Sequence, residues 1–405
     1  MMNGPRIFAM RYFSALAVLT WLAACAAVHR PPATVASIIA DGDAARTVQR
    51  DTIDTMLDRL ARRATARSAR TVDLLLLSGG GQHGAYGIGF LRGWRSRTDA
   101  PMPRFDLVTG ISTGALQAPF ALLGTDEALN TAANLYRKAV SDFAPTFDWL
   151  FWLRQTGGLV ETSRFQRMIE TVFDESKCRG LRAEFKAGRQ LAIATTDLDL
   201  GIGRIWDIGS ETDCSPASLA RVHTLLLATA AIPGIFPPVV IDGHVHADGG
   251  VVANLLPLLD LDGYRRLAAR LRALGVTERV TVRLWVVMNM WTHPTPTVID
   301  PADRAAIARR SNLLLFWTQQ SGLLARLAEL SRAVSADVPG LNMEMRYTAV
   351  PSELATEPGA NTLFDAAWML RLEKLGYERA RSASPWNEIG SPYERPATLK
   401  SRSSQ

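Results

Sequence analysis

The chain has 405 residues, 47% hydrophobic and 21% charged, a balance that excludes a wholly disordered, collagenous or coiled-coil protein. Its formal net charge of +6, from 45 basic and 39 acidic residues, is too small and scattered to argue for a nucleic-acid partner. It suits an anionic membrane surface no better than an ordinary solvated one.

Residues 1–24 read as a targeting segment. Arg6 and Arg11 give a positive start, and the run from Tyr12 to Ala24 is nearly all apolar and carries no charge. That is short for a membrane-crossing helix and has the shape of a secretory signal. It ends in Leu22-Ala23-Ala24-Cys25, which resembles the lipobox of bacterial lipoproteins, where the Cys becomes the lipidated first residue. Ala26, in a place where Asp would retain the protein at the inner membrane, resembles lipoproteins sent on to the outer membrane. The resemblance implies an exported protein, lipid-anchored on the periplasmic side. The alternative is an ordinary signal peptide or an uncleaved anchor. With Cys25 lipidated, Cys178 and Cys214 remain as an even pair in an oxidising compartment, either bonded or as two thiols.

Residues 29–43, with Pro31-Pro32, read as a tether. Helical spacing through Val48, Ile53, Met56, Leu57 and Leu60 predicts an amphipathic helix over 44–67. Residues 25–70 thus form tether and helix. From 71 to 381, strand-like runs at 72–77, 105–109, 190–195, 239–245 and 280–288 alternate with helical patterns at 85–95, 114–123, 126–140, 162–173, 216–230 and 303–333. Apolar strands separated by helices predict an α/β fold, a three-layer α/β/α sandwich with a mostly parallel central sheet. Ligands then bind beyond the carboxyl ends of the strands. The aromatic run 147–153 reads as core, or as a lid or membrane-facing surface. After Arg381 the chain turns to Ser, Pro and charge, so 382–405 read as a disordered tail.

Three motifs stand at strand ends. The first is Ser78-Gly79-Gly80-Gly81-Gln82-His83-Gly84, a glycine loop ahead of a helix. Its amides suit a permanent or transient anion. Gly79, Gly81 and Gly84, with Asp106 further on, also satisfy the dinucleotide fingerprint, a weak match alone. The second is Gly110-Ile111-Ser112-Thr113-Gly114, a G-x-S-x-G turn that would project the Ser112 hydroxyl; a helix-capping serine is the bland alternative. The third is Ala247-Asp248-Gly249-Gly250, whose acid would accept the serine proton or merely hold a turn. A dinucleotide site uses neither a nucleophile elbow nor a second acid. An acyl-transfer site needs oxyanion donors, a nucleophile and a base.

The set, in this order, resembles the patatin-like phospholipase family, with its glycine-rich oxyanion loop, G-x-S-x-G serine and D-G-[GA] aspartate. The stretch 228–238, the segment Ala194-Thr195-Thr196-Asp197, and Phe364-Asp365 with the following helix are similar to the same family, so the likeness spans residues 72–380. It implies a Ser112–Asp248 dyad, an oxyanion hole from Gly79, Gly80, Gly81 and Gln82, and a fatty acyl ester of a lipid or phospholipid as substrate, with no cofactor. The family has Arg or Lys where this chain has His83, whose uncertain charge would make activity steeper in pH. Two other functional readings stay open. One is a Ser–Asp–His triad using His293, the one His after Asp248; the other is a lipid-binding lipoprotein without turnover. His244, His246 and Asp248 alternate on one strand and admit a metal site, but a strand leading into an active-site Asp explains them equally well, and no metal is expected.

Overall fold

The apolar runs become the strands of one large sheet. The computed structural model describes residues 28, 30–67, 70–149, 154, 156–387 and 389. The signal segment, Cys25, the last four residues of the aromatic run and nearly all of the tail after 387 lie outside them. In chain order the strands are β1 (Thr71–Leu77), β2 (Leu107–Gly110), β3 (Thr146–Phe147), β4 (Val160–Glu161), β5 (Gln190–Asp197), β6 (Ile202–Asp207), β7 (Val239–Ile241), β8 (His244–Asp248), β9 (Val280–Met288) and β10 (Leu341–Ala349). The longer helices are α1 (Val35–Ala66), α2 (Gly84–Arg95), α3 (Thr113–Leu123), α4 (Asp126–Arg137), α5 (Ser163–Val172), α6 (Glu175–Lys186), α7 (Pro216–Thr229), α8 (Leu261–Ala273), α9 (Arg304–Asp337) and α10 (Ala366–Arg381).

The parallel part of the sheet runs β10-β9-β1-β2-β5. Beyond it, β6 and β8 both pair antiparallel with β5, and β7 pairs with β8. The register on β5 decides where the motifs meet. Strand β2 covers residues 190–193 of β5, ending with Gly110 opposite Ile193. Strand β6 holds the other edge over 192–197. Strand β8 must therefore lie on the β2 edge, where it takes 195–197 and ends with Asp248 opposite Thr195. Two strands of opposite direction thus approach head-on along one edge, with only Ala194 between their last partners.

Side chains of β1 alternate between two cores. Leu75 and Leu77 enter the cluster under α2, α3, α4 and α10; Val72, Leu74 and Leu76 enter the one under α1, α8 and α9. This is the predicted three-layer α/β/α arrangement.

Three sequence boundaries move. Helix α1 begins at Val35, inside the stretch read as tether, because Thr34 and Ser37 form a reciprocal capping box. The run read as one strand over 239–245 is a hairpin, folded at Asp242-Gly243, both at positive φ. The start of the predicted disordered tail is ordered. Trp386 packs among the rings of Phe90, Trp94 and Trp285, and the Asn387 amide donates to Tyr347 O. A single large apolar side chain overrides the polar composition around it.

Asp106, the acid of the dinucleotide alternative, is fully buried at the amino end of the sheet. It accepts from Arg63, Arg67 and the Asp73 amide. It ties α1 to β1 and lies at the opposite end of the strands from the glycine loop.

Cys178 on α6 and Cys214 ahead of α7 are disulfide-bonded, with Cα atoms 5.8 Å apart. A loop closed over a separation of 36 residues restricts the unfolded chain by about 3–4 kcal/mol in the chain-entropy model. Non-reducing peptide mapping should recover the linked pair. Denaturation under reducing conditions, or of a Cys178→Ser/Cys214→Ser variant, should show a loss of about that size. An unchanged denaturation midpoint would remove the bridge from the account.

Candidate active site

Ser112 sits on the turn between β2 and α3 with φ 52° and ψ −125°, a region that L-residues avoid and that marks a nucleophile elbow. The strain is held from both sides. The Ser112 amide donates to Thr229 Oγ1, 3.1 Å, and that hydroxyl donates to Ala194 O on β5, 2.6 Å. Gly114 allows the turn to close: a Cβ there would lie 2.4 Å from Leu77 O at the end of β1. Gly110 is similarly tight against the start of α3.

Asp248 arrives from the other direction at the end of β8. Its amide donates to Ala231 O, 2.8 Å, and its Oδ1 accepts the Gly250 amide, 2.8 Å. Its carboxylate shares the cavity wall with Ser112, whose side chain interacts with it. Both side chains are buried. Burial pushes the Asp248 carboxyl up to about 6, against the opposing pull of the Ser112 and Gly250 hydrogen bonds. Gly249 lets the chain turn away within reach of Ala194 O.

The glycine loop lies across the same cavity, a space of about 390 Å³ whose walls include Gly79, Gly80, Gly81, Gln82, His83, Ser112, Asp248 and Gly250. Gly80 has no alternative, since a Cβ there would fall 1.9 Å from Asn289 O. The Gly79 amide donates to Asn254 O, 3.3 Å, so Gly79 shapes the loop with its amide already engaged. Those of Gly80 and Gly81 meet no acceptor among the described residues and remain as the donors an oxyanion requires. The Gln82 side chain turns away. Its Nε2 donates to Gly359 O and Thr362 O, 2.7 and 2.8 Å, and its Oε1 accepts the Asp365 amide at the start of α10.

His83 packs into the body of the protein instead of reaching into the loop's anion site. It is buried, with rings of Trp291 and Trp368 edge-on to it, and burial holds its pKa below the ordinary value. Its Nδ1 lies 2.9 Å from Gly80 O and its Nε2 3.1 Å from Ala360 O. Both ring nitrogens thus face carbonyl oxygens, so the imidazole bonds one of them when neutral and both, loop and C-terminal segment together, when protonated. Gly84 packs too closely on Tyr136 and Thr113 to carry a side chain.

His293 does not line the cavity; its Nδ1 is 2.9 Å from Thr292 Oγ1. Ser112 and Asp248 face one cavity and interact with each other, while His293 stands apart from both. His244 turns to a different cluster, where its ring and the carboxylates of Asp197 and Asp199 bring donor atoms within 4.8 Å. Arg30 and Arg204 already pair with those carboxylates. His246 Nδ1 is 2.9 Å from Thr195 Oγ1. Asp248 is not a member of that group.

Sequence reasoning missed three supports: Thr229, Asn254 and Asn289. The Asn289 amide donates to Ser78 Oγ, 2.8 Å, and its Nδ2 donates to Ser78 O, 2.7 Å. All three are distant in sequence from the glycines and serine they hold, so no local pattern marks them.

Chemically, the arrangement can transfer an acyl group: a strained hydroxyl, a buried base and free backbone donors face one apolar-walled cavity. Residues 75–262 match the family model of patatin-like phospholipases. Over that segment the chain carries a patatin-like phospholipase domain. No curated protein matches the sequence. Among solved structures, VipD from Legionella pneumophila is similar over 76% of this chain at 15% identity and a TM-score of 0.36; the match covers 66% of VipD, a little under two thirds of its length.

The buried carboxyl has a stability cost with a defined sign. Its folded pKa, about 6, lies above the unfolded value of 3.8. Folded protein therefore holds the proton more tightly between those values, and stability falls as pH rises through that window. Above it the cost is on the order of 2–3 kcal/mol. Asp248→Asn should raise the melting temperature at pH 7–8 and lose that advantage near pH 4. A variant less stable than the parent at pH 8 would contradict this.

Proposed function

We propose that the protein hydrolyses fatty acyl esters of lipids or phospholipids through a Ser112–Asp248 dyad and a covalent acyl-enzyme. The observation that carries this reading is that Ser112, on its strained turn, and the buried Asp248 line one cavity and interact there. Ser112 Oγ attacks the ester carbonyl while Asp248 takes its proton. The developing oxyanion settles on the amides of Gly80 and Gly81, at the glycine loop. Asp248 then gives the proton to the leaving alcohol, and the same carboxylate deprotonates the water that releases the fatty acid. An ordinary carboxylate is a poor base for a serine. Burial brings Asp248 closer to neutrality and so makes it a better one.

The apolar walls favour an acyl chain. Ile232, Pro233, Val251, Met290, Phe316 and Leu363 line the cavity, and a narrower cleft beside Ser112 is walled by Leu116, Leu135, Phe165, Met168 and Phe236. We also assign residues 1–24 as a lipoprotein signal and Cys25 as the lipidated residue, on the sequence Leu22-Ala23-Ala24-Cys25. This places the enzyme on the periplasmic side of a bacterial membrane. No helix among the described residues is long and apolar enough to cross a membrane.

Ser112→Ala should lower ester hydrolysis by roughly 10⁴- to 10⁶-fold and abolish labelling by a fluorophosphonate, with Asp248→Asn close behind. His293→Ala should turn over at nearly the parental rate. Persistent activity in a folded Ser112→Ala protein would defeat the mechanism, and absence of labelling in the parent would favour a lipid-binding role. The acid limb of kcat should fall near pH 6, where Asp248 takes up its proton. Cys25→Ser should release the protein from membranes, checked by fractionation and intact mass.

A further inference from the structure

The first described residues of the chain are fastened to the same edge of the sheet that carries the site. Arg30 Nη1 bonds both oxygens of Asp199, 2.7 and 2.8 Å. Asp199 lies in the turn that follows β5, at its carboxyl end, and its Oδ2 also accepts the Val245 amide of β8, 2.8 Å. Gly42 of α1 packs against Leu200 in that turn, and Asp41 reaches His244, 3.5 Å. From Cys25 to Arg30 is five residues, a reach of about 18 Å at full extension. A lipid on Cys25 therefore cannot stand far from this edge.

The edge itself is unusually apolar. Leu198 is exposed beside Asp199. Val252 packs near Gly203 of β6, and its carbonyl accepts Gln319 of α9, 2.7 Å. It and Val251 are half-exposed immediately after Asp248-Gly249-Gly250. Leu315, 72% exposed, precedes the cavity residue Phe316, and Leu363 is both exposed and on the cavity wall. Trp149 is 81% exposed, on a segment tied through Leu159 to Ile235, in the same stretch as the cavity residues Ile232 and Pro233. Scattered apolar side chains need no explanation; here Val251 and Leu363 line the cavity, and Val252 and Leu315 are chain neighbours of lining residues. The amino edge contrasts with it, carrying the ion pairs Arg70–Glu278 and Arg104–Glu184.

We infer that this rim is a membrane-docking surface, and that the Arg30–Asp199 clasp turns the cavity mouth toward the bilayer that holds the Cys25 anchor. The enzyme then draws its substrate from its own membrane, and an acyl chain enters without crossing water. The inference rests on the lipid anchor proposed above. Aliphatic and Trp side chains at one face, next to a covalent lipid, supply the two attachments that stable membrane association needs.

The test uses the full-length lipidated protein in vesicles of phosphatidylethanolamine and phosphatidylglycerol. Val252→Cys and Glu278→Cys each add one reactive thiol, because Cys178 and Cys214 are bonded and Cys25 carries lipid. Flotation with the vesicles reports the anchor alone. Lipids brominated along the acyl chain should quench a fluorophore at position 252 and leave one at 278 unaffected. A Leu198→Asp/Leu315→Asp variant should still float and cleave a water-soluble short-chain ester normally, yet hydrolyse vesicle lipid about tenfold or more slowly. Protein that floats but shows equal quenching at both positions, or none at 252, overturns the docking surface. So does an unchanged rate on vesicle lipid in the variant. Protein that fails to float, with an unmodified Cys25, overturns the anchor and the orientation with it.

Discussion

One edge of β5 governs this molecule. Strand β2 uses its first half and β8, running the other way, uses the rest. Neither can extend without colliding with the other, so both chains must turn out of the sheet within a few residues. Ser112 and Asp248 occupy those two exits. Their contact is fixed by the hydrogen-bond ladder itself, and side-chain packing only refines it. The small residues follow from the same crowding, since Gly110, Gly114 and Gly249 all lie where backbones converge.

That geometry places two unfavourable states side by side. Ser112 holds a positive φ and Asp248 a buried carboxyl. Each is sustained by neighbours with no chemical role: Thr229 bridging Ser112 to β5, and the Gly250 amide on Asp248. Strain and desolvation of this kind persist only where the surroundings over-determine them. The stable body of the protein, two cores on either face of the sheet, is what tolerates them.

Much of this was legible in the sequence because it is local. A Gly-rich loop, a G-x-S-x-G turn and an Asp-Gly-Gly each follow an apolar run, and a turn's chemistry is written in its own residues. The three-layer architecture follows from alternating runs in the same way. What depends on distant partners was hidden. Strand β6 was not anticipated, since Ile202–Asp207 has mixed composition and weak periodicity; β10, Leu341–Ala349, alternates apolar and polar residues and was passed over. His83 read as a possible cation because its burial between Trp291 and Trp368 has no sequence signal. Asp242-Gly243, by contrast, is a hairpin signal present in the sequence and passed over within an apparently continuous run.

The braces on the glycine loop also set an order of events. Gln82 and His83 are held by carbonyls and amides of residues 359–365, some 280 positions later in the chain. Asn289 secures Ser78 from more than 200 positions away. A partly synthesised chain thus contains the nucleophile, but lacks the supports that shape its oxyanion loop. Contacts of such separation form late, after the costly closure of long loops. The complete site therefore arises as one of the last steps of folding, once nearly the whole polypeptide is in place. Under the proposed export of this chain, a lipid-cleaving site that assembles only at completion would be harmless to the membrane it must first pass.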